Sequence, residues 1–219
     1  MLVDDQSRNG PHPDLRPLIA QHARELARWL PPGSVQWDNI EILSQRTYEG
    51  RSRYTSDDGT PRNFSTCIAR AANQPVPTWP EHTDHRTTPH VSDAPMVTGD
   101  LLFWAGAGQN KAGGWILASL TVNGYLGSTP ALVHPVGMNT SIIAGVGFGC
   151  LVLDDKIERL RIELSDGVIY EDTVHDGVLH VHAWLDSEVA QRGEIKVQII
   201  DNTGRVVQEE RIVMPESAI

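Results

Sequence analysis

From Gly99 onward the chain is a run of short strand-like segments separated by turn residues, and this rhythm constrains the fold more than any other feature. DLLFWAG, GWILASLTV, ALVHPV, SIIAGVGFG, IERLRIEL, GVIYEDTV, GVLHVHAWL, GEIKVQII and GRVVQEERIV are each bounded by Gly, Pro, Asn or Asp. Segments of this length and spacing predict an antiparallel sandwich or barrel. In RLRIELSDGVIYEDTV the Asp166-Gly167 pair supplies the left-handed residue of a hairpin turn. Asp176-Gly177 and Asn202-Thr203-Gly204 repeat the device. The most apolar stretch, SIIAGVGFGCLVL, is shorter than the ~20 residues a membrane-spanning helix needs and is broken by glycine, so it reads as buried strands.

The front of the chain follows a different period. In DLRPLIAQHARELARWLPPG, Leu15, Leu18, Ile19, His22, Leu26, Trp29 and Leu30 recur every three or four residues. That spacing predicts an amphipathic helix with Asp14 as N-cap, Pro17 in the first turn and Pro31-Pro32-Gly33 at its end. QWDNIEIL, RTYEGRSRYT and RNFSTCIAR then predict three strands, with SDDGTP as a turn. From Ala71 to Gly99 both periods vanish in a Pro/His-rich stretch that reads as a linker or long loop. The expected fold is mainly β with an N-terminal helix. It comprises a small α+β unit (helix plus antiparallel meander) over residues 1–70, a linker over 71–99 and an antiparallel β-sandwich over 100–219.

The run IERLRIELSDGVIYEDTVHDGVLHVHAWL, followed by GEIKVQIIDNTGRVV, resembles uncharacterised actinobacterial Ig-like β-sandwich domains over residues 157–207. There a strand leads to a DG turn, a second DG precedes an apolar strand, and a D-x-x-GR turn closes a final hairpin. The resemblance implies a compact sandwich and carries no activity, cofactor or catalytic residue.

Charge narrows the possible partners. The net charge is −10, and residues 96–219 hold 16 acidic against 8 basic groups. Such a balance argues against nucleic acid, whose binders need a concentrated positive field. SQRTYEGRSRYTSDDGTPR interleaves Arg46, Arg51, Arg53 and Arg62 with Tyr48 and Tyr54, but Glu49, Asp57 and Asp58 offset the charge. A solvated face with local ion pairs is the expectation there. The N-terminus MLVDDQSRNGPHPD lacks a basic region followed by an apolar run, so the cytoplasm is the expected location and no membrane is expected as a partner. Cys67 and Cys150 have no metal or redox spacing and read as buried free thiols.

Two histidine clusters are the candidate chemistry. Alternation along residues 178–185 puts Leu179, Val181, Ala183 and Leu185 on a core face. His180, His182 and Trp184 fall on the opposite face, toward solvent or another protein, and form the expected interaction face. A zinc site there would need a third ligand such as His134 or Asp172. In EHTDHRTTPH, Glu81, His82, Asp84, His85 and His90 could ligate zinc or another divalent metal. Their prolines and threonines favour a solvated connector, and no cofactor is predicted. GAGQNKAGG lacks the order of a phosphate loop, and no G-x-S-x-G elbow is present. The favoured reading is a non-catalytic binding or assembly protein that contacts a protein partner or itself. The alternatives are a metal-binding protein or metal-dependent enzyme using the histidines, and an acidic inhibitor or immunity-type protein that fills a basic site.

Overall fold

The computed structural model describes residues 2–3, 11–26, 35–52, 58–73, 100–124, 133–141 and 145–213. Their elements in chain order are β1 (Leu2–Val3), α1 (Arg16–Leu26), β2 (Val35–Tyr48), β3 (Phe64–Asn73), β4 (Leu101–Gln109), β5 (Trp115–Gly124) and β6 (Val133–Ser141). There follow β7 (Gly145–Val152), β8 (Ile157–Glu163), β9 (Ile169–Thr173), β10 (Val178–Ala183), α2 (Glu188–Arg192), β11 (Glu194–Asp201) and β12 (Val206–Val213). The protein is mainly β with an N-terminal helix and antiparallel sheets, as its sequence leads one to expect.

α1 begins where Asp14 accepts a hydrogen bond from the Arg16 amide at 3.1 Å. Leu15, Ile19 and Ala23, spaced by four, bury one stripe against a sheet of order β2-β3-β4-β5. That sheet differs from the expected meander. QWDNIEIL and the start of RTYEGRSRYT are one strand of 14 residues, bent by an irregularity between Ile42 and Ser44. The sheet is completed by β4 and β5, which lie beyond the linker. β3 pairs with β4 continuously from Phe64↔Gly108 to Ala71↔Leu101. A division between residues 70 and 100 therefore does not follow the sheet, because β4 buries both its faces and needs β3 beside it. Leu101, Phe103, Ala105 and Ala107 face α1, while Leu102 and Trp104 face the other way. Within GAGQNKAGG, β4 runs to Gln109 and the turn to β5 is closed by Asn110, whose amide donates to the Gly114 carbonyl at 2.8 Å.

The second sheet, β10-β7-β6, lies on the Trp104 side. β7 alternates Gly145, Gly147 and Gly149 with Val146, Phe148 and Cys150. A Cβ on Gly147 would fall within the Trp104 ring, and one on Gly149 would fall on the Ile68 side chain. The bare backbone is what lets the first sheet approach. The third sheet, of order β1-β9-β8-β11-β12, packs on the Phe148 side to make the sandwich. Leu160 and Ile162 of β8 and Ile195, Val197 and Ile199 of β11 meet Leu179, Val181 and Ala183 of β10 there. The turns match their sequence signals: φ is +80° at Gly167, +74° at Gly177, +83° at Gly204, and +49° at Asp176. α2, a single turn capped by the Ser187 hydroxyl accepting from the Ala190 amide at 3.0 Å, was not foreseen. Among the described residues no helix is long and apolar enough to cross a membrane.

Candidate functional site

Sandwiched between two sheets, β10 is buried on both faces. Leu179, Val181 and Ala183 sit in the core as expected, but the opposite face is interior too. His180 is 0 % exposed, His182 2 % and Trp184 8 %. The expectation that these three form an outward interaction face is therefore corrected: the surface they meet is the chain's own β2-β3-β4-β5 sheet. The His180 ring lies between two hydroxyls, Ser44 Oγ at 3.1 Å from Nδ1 and Thr66 Oγ1 at 3.0 Å from Nε2. Its backbone amide donates to Asp172 Oδ2 at 2.7 Å. Asp172 Oδ1 in turn binds Arg46 Nη2 at 2.7 Å, both side chains being nearly fully buried. Three sheets meet at this point: Arg46 belongs to β2, Asp172 to β9 and His180 to β10. The carboxylate satisfies the His180 amide on the edge of β10 that faces away from β7.

His182 is enclosed by rings. Trp104 stacks on it at 6.2 Å and 13°, Trp184 lies 4.4 Å away, Phe64 5.5 Å and Tyr48 5.6 Å. Arg51 covers the Trp184 face at 5.0 Å and binds Asp186 through one nitrogen at 2.8 and 3.0 Å. The arginine-tyrosine hairpin is thus only partly the solvated face expected. Arg46 is interior, Arg51 pairs 135 residues along the chain, and Arg53 and Tyr54 lie outside the described residues.

The metal candidates are not brought together. His180 is engaged by hydroxyls, Asp172 by Arg46, and the side chain of His134 lies outside the described residues. His82, Asp84, His85 and His90, with Glu81, also lie outside them. Among the described residues no group of three His, Cys, Asp or Glu side chains is placed to hold a metal ion. Cys67 and Cys150 are free, and burial pushes both thiols up to about 12, away from nucleophilic use. A polar depression of about 590 Å³ beside the start of α1 is lined by His12, Asp14, Arg16, Glu41 and Gln45. Its charges answer one another: the Arg16 guanidinium holds the Asp14 carboxyl below the usual carboxylate range.

What remains open is an edge. Among the described residues β12 ends the third sheet and pairs with β11 alone, and six of its eight residues are exposed. Val206 is 40 % and Val213 73 % exposed at its two ends. Sequence reading identified the strand but not its place at the margin, since strand order is not written in local period. Fold and site together define a mainly β protein of stacked antiparallel sheets, a helix over one outer face and an open strand edge at the far side. Set against known protein families, curated proteins and solved structures, the chain matches none of them.

Proposed function

We propose that this chain is a non-catalytic binding or assembly protein of the cytoplasm that acts through protein–protein contacts, made at the open edge of β12. The observation that carries the reading is that edge: eight residues of extended backbone with one side unpaired in the sheet among the described residues and apolar side chains at both ends. An exposed strand edge is a template for a strand from another chain, whose main-chain hydrogen bonds supply affinity. The same sheet already takes an added strand at its opposite margin, where β1 runs parallel to β9 through Leu2↔Ile169 and Val3↔Tyr170. The resemblance of residues 157–207 to Ig-like sandwich domains belongs to this reading, since such sandwiches end in free edges.

Proline substitution tests it. Successive residues of a strand direct their amides to opposite edges, so of Glu209→Pro and Glu210→Pro one removes an outward N–H and the other an N–H bonded to β11. Proline with its nitrogen facing solvent is tolerated on an edge. Panning a random nonapeptide library on the full chain should enrich peptides that the folded proline variant no longer holds, the fold being checked by circular dichroism. Peptides retained equally by that variant would sink the proposal.

A further inference from the structure

We infer that the strand taken by β12 carries a basic side chain at its centre with an apolar one two positions away; this rests on reading β12 as the binding edge. The register fixes which side chains the newcomer meets. Ile195, Val197 and Ile199 form the buried face of β11, and their partners across the ladder are Ile212, Glu210 and Gln208. Those three therefore share the core-side face of β12. The sandwich does not reach far enough to cover them all: Ile212 packs against the core, whereas Glu210 and Gln208 are exposed on an overhanging ledge.

The two faces of the ledge differ in charge. On the outer face Glu209 accepts from Gln198 Nε2 at 2.7 Å and pairs with Arg211 at 2.9 Å, which hold its carboxyl below the ordinary range; Arg211 also pairs with Glu194 at 3.2 Å. On the core-side face Glu210 has no ion pair among the described residues. A strand added to β12 sets one side chain directly opposite Glu210, roughly 5 Å away between Cβ atoms. An apolar group there would strip water from a carboxylate without replacing it, and an acidic one would repel it. Lysine or arginine answers the charge, an apolar residue two positions on meets Ile212, and a polar one on the other side meets Gln208.

The same residues disfavour a second copy of the chain. Antiparallel pairing of two β12 strands about a two-fold axis centred on Glu209 or Glu210 opposes two carboxylates, and centring on Arg211 opposes two guanidinium groups. The Glu210-centred register gains Glu209–Arg211 contacts between copies only by drawing Arg211 from Glu194. An inward-directed charge on an edge strand is a known guard against self-pairing, and here it also selects the partner.

The library of the preceding experiment decides both points. Peptides enriched on the wild-type chain should carry Lys or Arg two positions from an apolar residue. Their affinity at low salt should exceed that of Glu-centred counterparts roughly five-fold, with the gap closing as salt screens it. Glu210→Lys should invert the preference toward acidic centres, and the wild-type chain should sediment as a monomer. Binders that depend on the β12 amides but show no charge bias, or no inversion in Glu210→Lys, would overturn this inference and leave the edge standing. Binders indifferent to the proline variant would overturn both, and a β12-dependent homodimer would overturn the choice of partner.

Discussion

Arg46 and Asp172 form a contact on which three sheets converge. Both are almost wholly buried, and the carboxylate spends its second oxygen on the His180 amide. Removing one partner of a buried pair takes from the other the charge that offsets its desolvation, at about 3–5 kcal/mol, whereas replacing both with apolar groups of similar volume is often close to neutral. Asp172→Ala should therefore lower the stability measured by urea unfolding by about that amount, and Arg46→Met combined with Asp172→Leu should recover much of it. Recovery will be incomplete, because the leucine cannot accept from the His180 amide. A loss in Asp172→Ala no larger than that of a surface substitution would show the pair to be unimportant. None of this was legible in the local sequence. Alternation correctly divided β10 into two faces, but it could not show that the polar face is interior, because a histidine answered by Ser44 and Thr66 looks like a histidine answered by water. Those hydroxyls lie 136 and 114 residues away.

At the scale of elements, turn chemistry was the most readable part. Asp-Gly and Asn-Thr-Gly between strands favour left-handed backbone, and the φ values at Gly167, Asp176, Gly177 and Gly204 follow. β7 was harder, since glycine inside a strand signals close approach without saying of what. Gly147 lies under the Trp104 indole and Gly149 under Ile68, so the strand is a smooth plate on which the first sheet rests. Gly147→Ala should force the two sheets apart or push Trp104 from its place, at a cost of about 1–3 kcal/mol in thermal or chemical unfolding. Trp104→Phe in the same chain should relieve part of that loss, and the two changes should be non-additive because the groups touch. Additive losses would show that Gly147 acts through its own backbone and not through the indole. β2 illustrates the opposite difficulty: Ser44 and Gln45 interrupt the alternation, so one strand of 14 residues reads as two.

Over the whole molecule, the order of segments along the chain and the order of layers in space part company. A linker rich in proline and histidine suggests a border between domains, yet β3 on one side of it and β4 on the other are neighbours in one sheet through eight register positions. Pairing across so long a gap has no local signature, so sequence alone suggests a border there. The consequence can be measured by splitting the chain inside that stretch. Fragments 1–85 and 86–219, co-expressed, should co-purify and reproduce the circular dichroism of the intact protein, because the β3–β4 ladder and the packing of Ile68 on the glycine strand join them. Fragment 86–219 alone should aggregate: it would expose Leu101 and Phe103, which α1 and β3 cover, and leave β4 an open, apolar edge. A dispersed, native-like amide spectrum from that fragment by itself would restore the border at residue 100 and make the four-stranded sheet an accessory to an independent sandwich. The split also bears on the binding proposal, since β12 belongs to a different sheet from β3 and β4, the strands on either side of the cut. Reassembled fragments should keep whatever strand the intact edge holds.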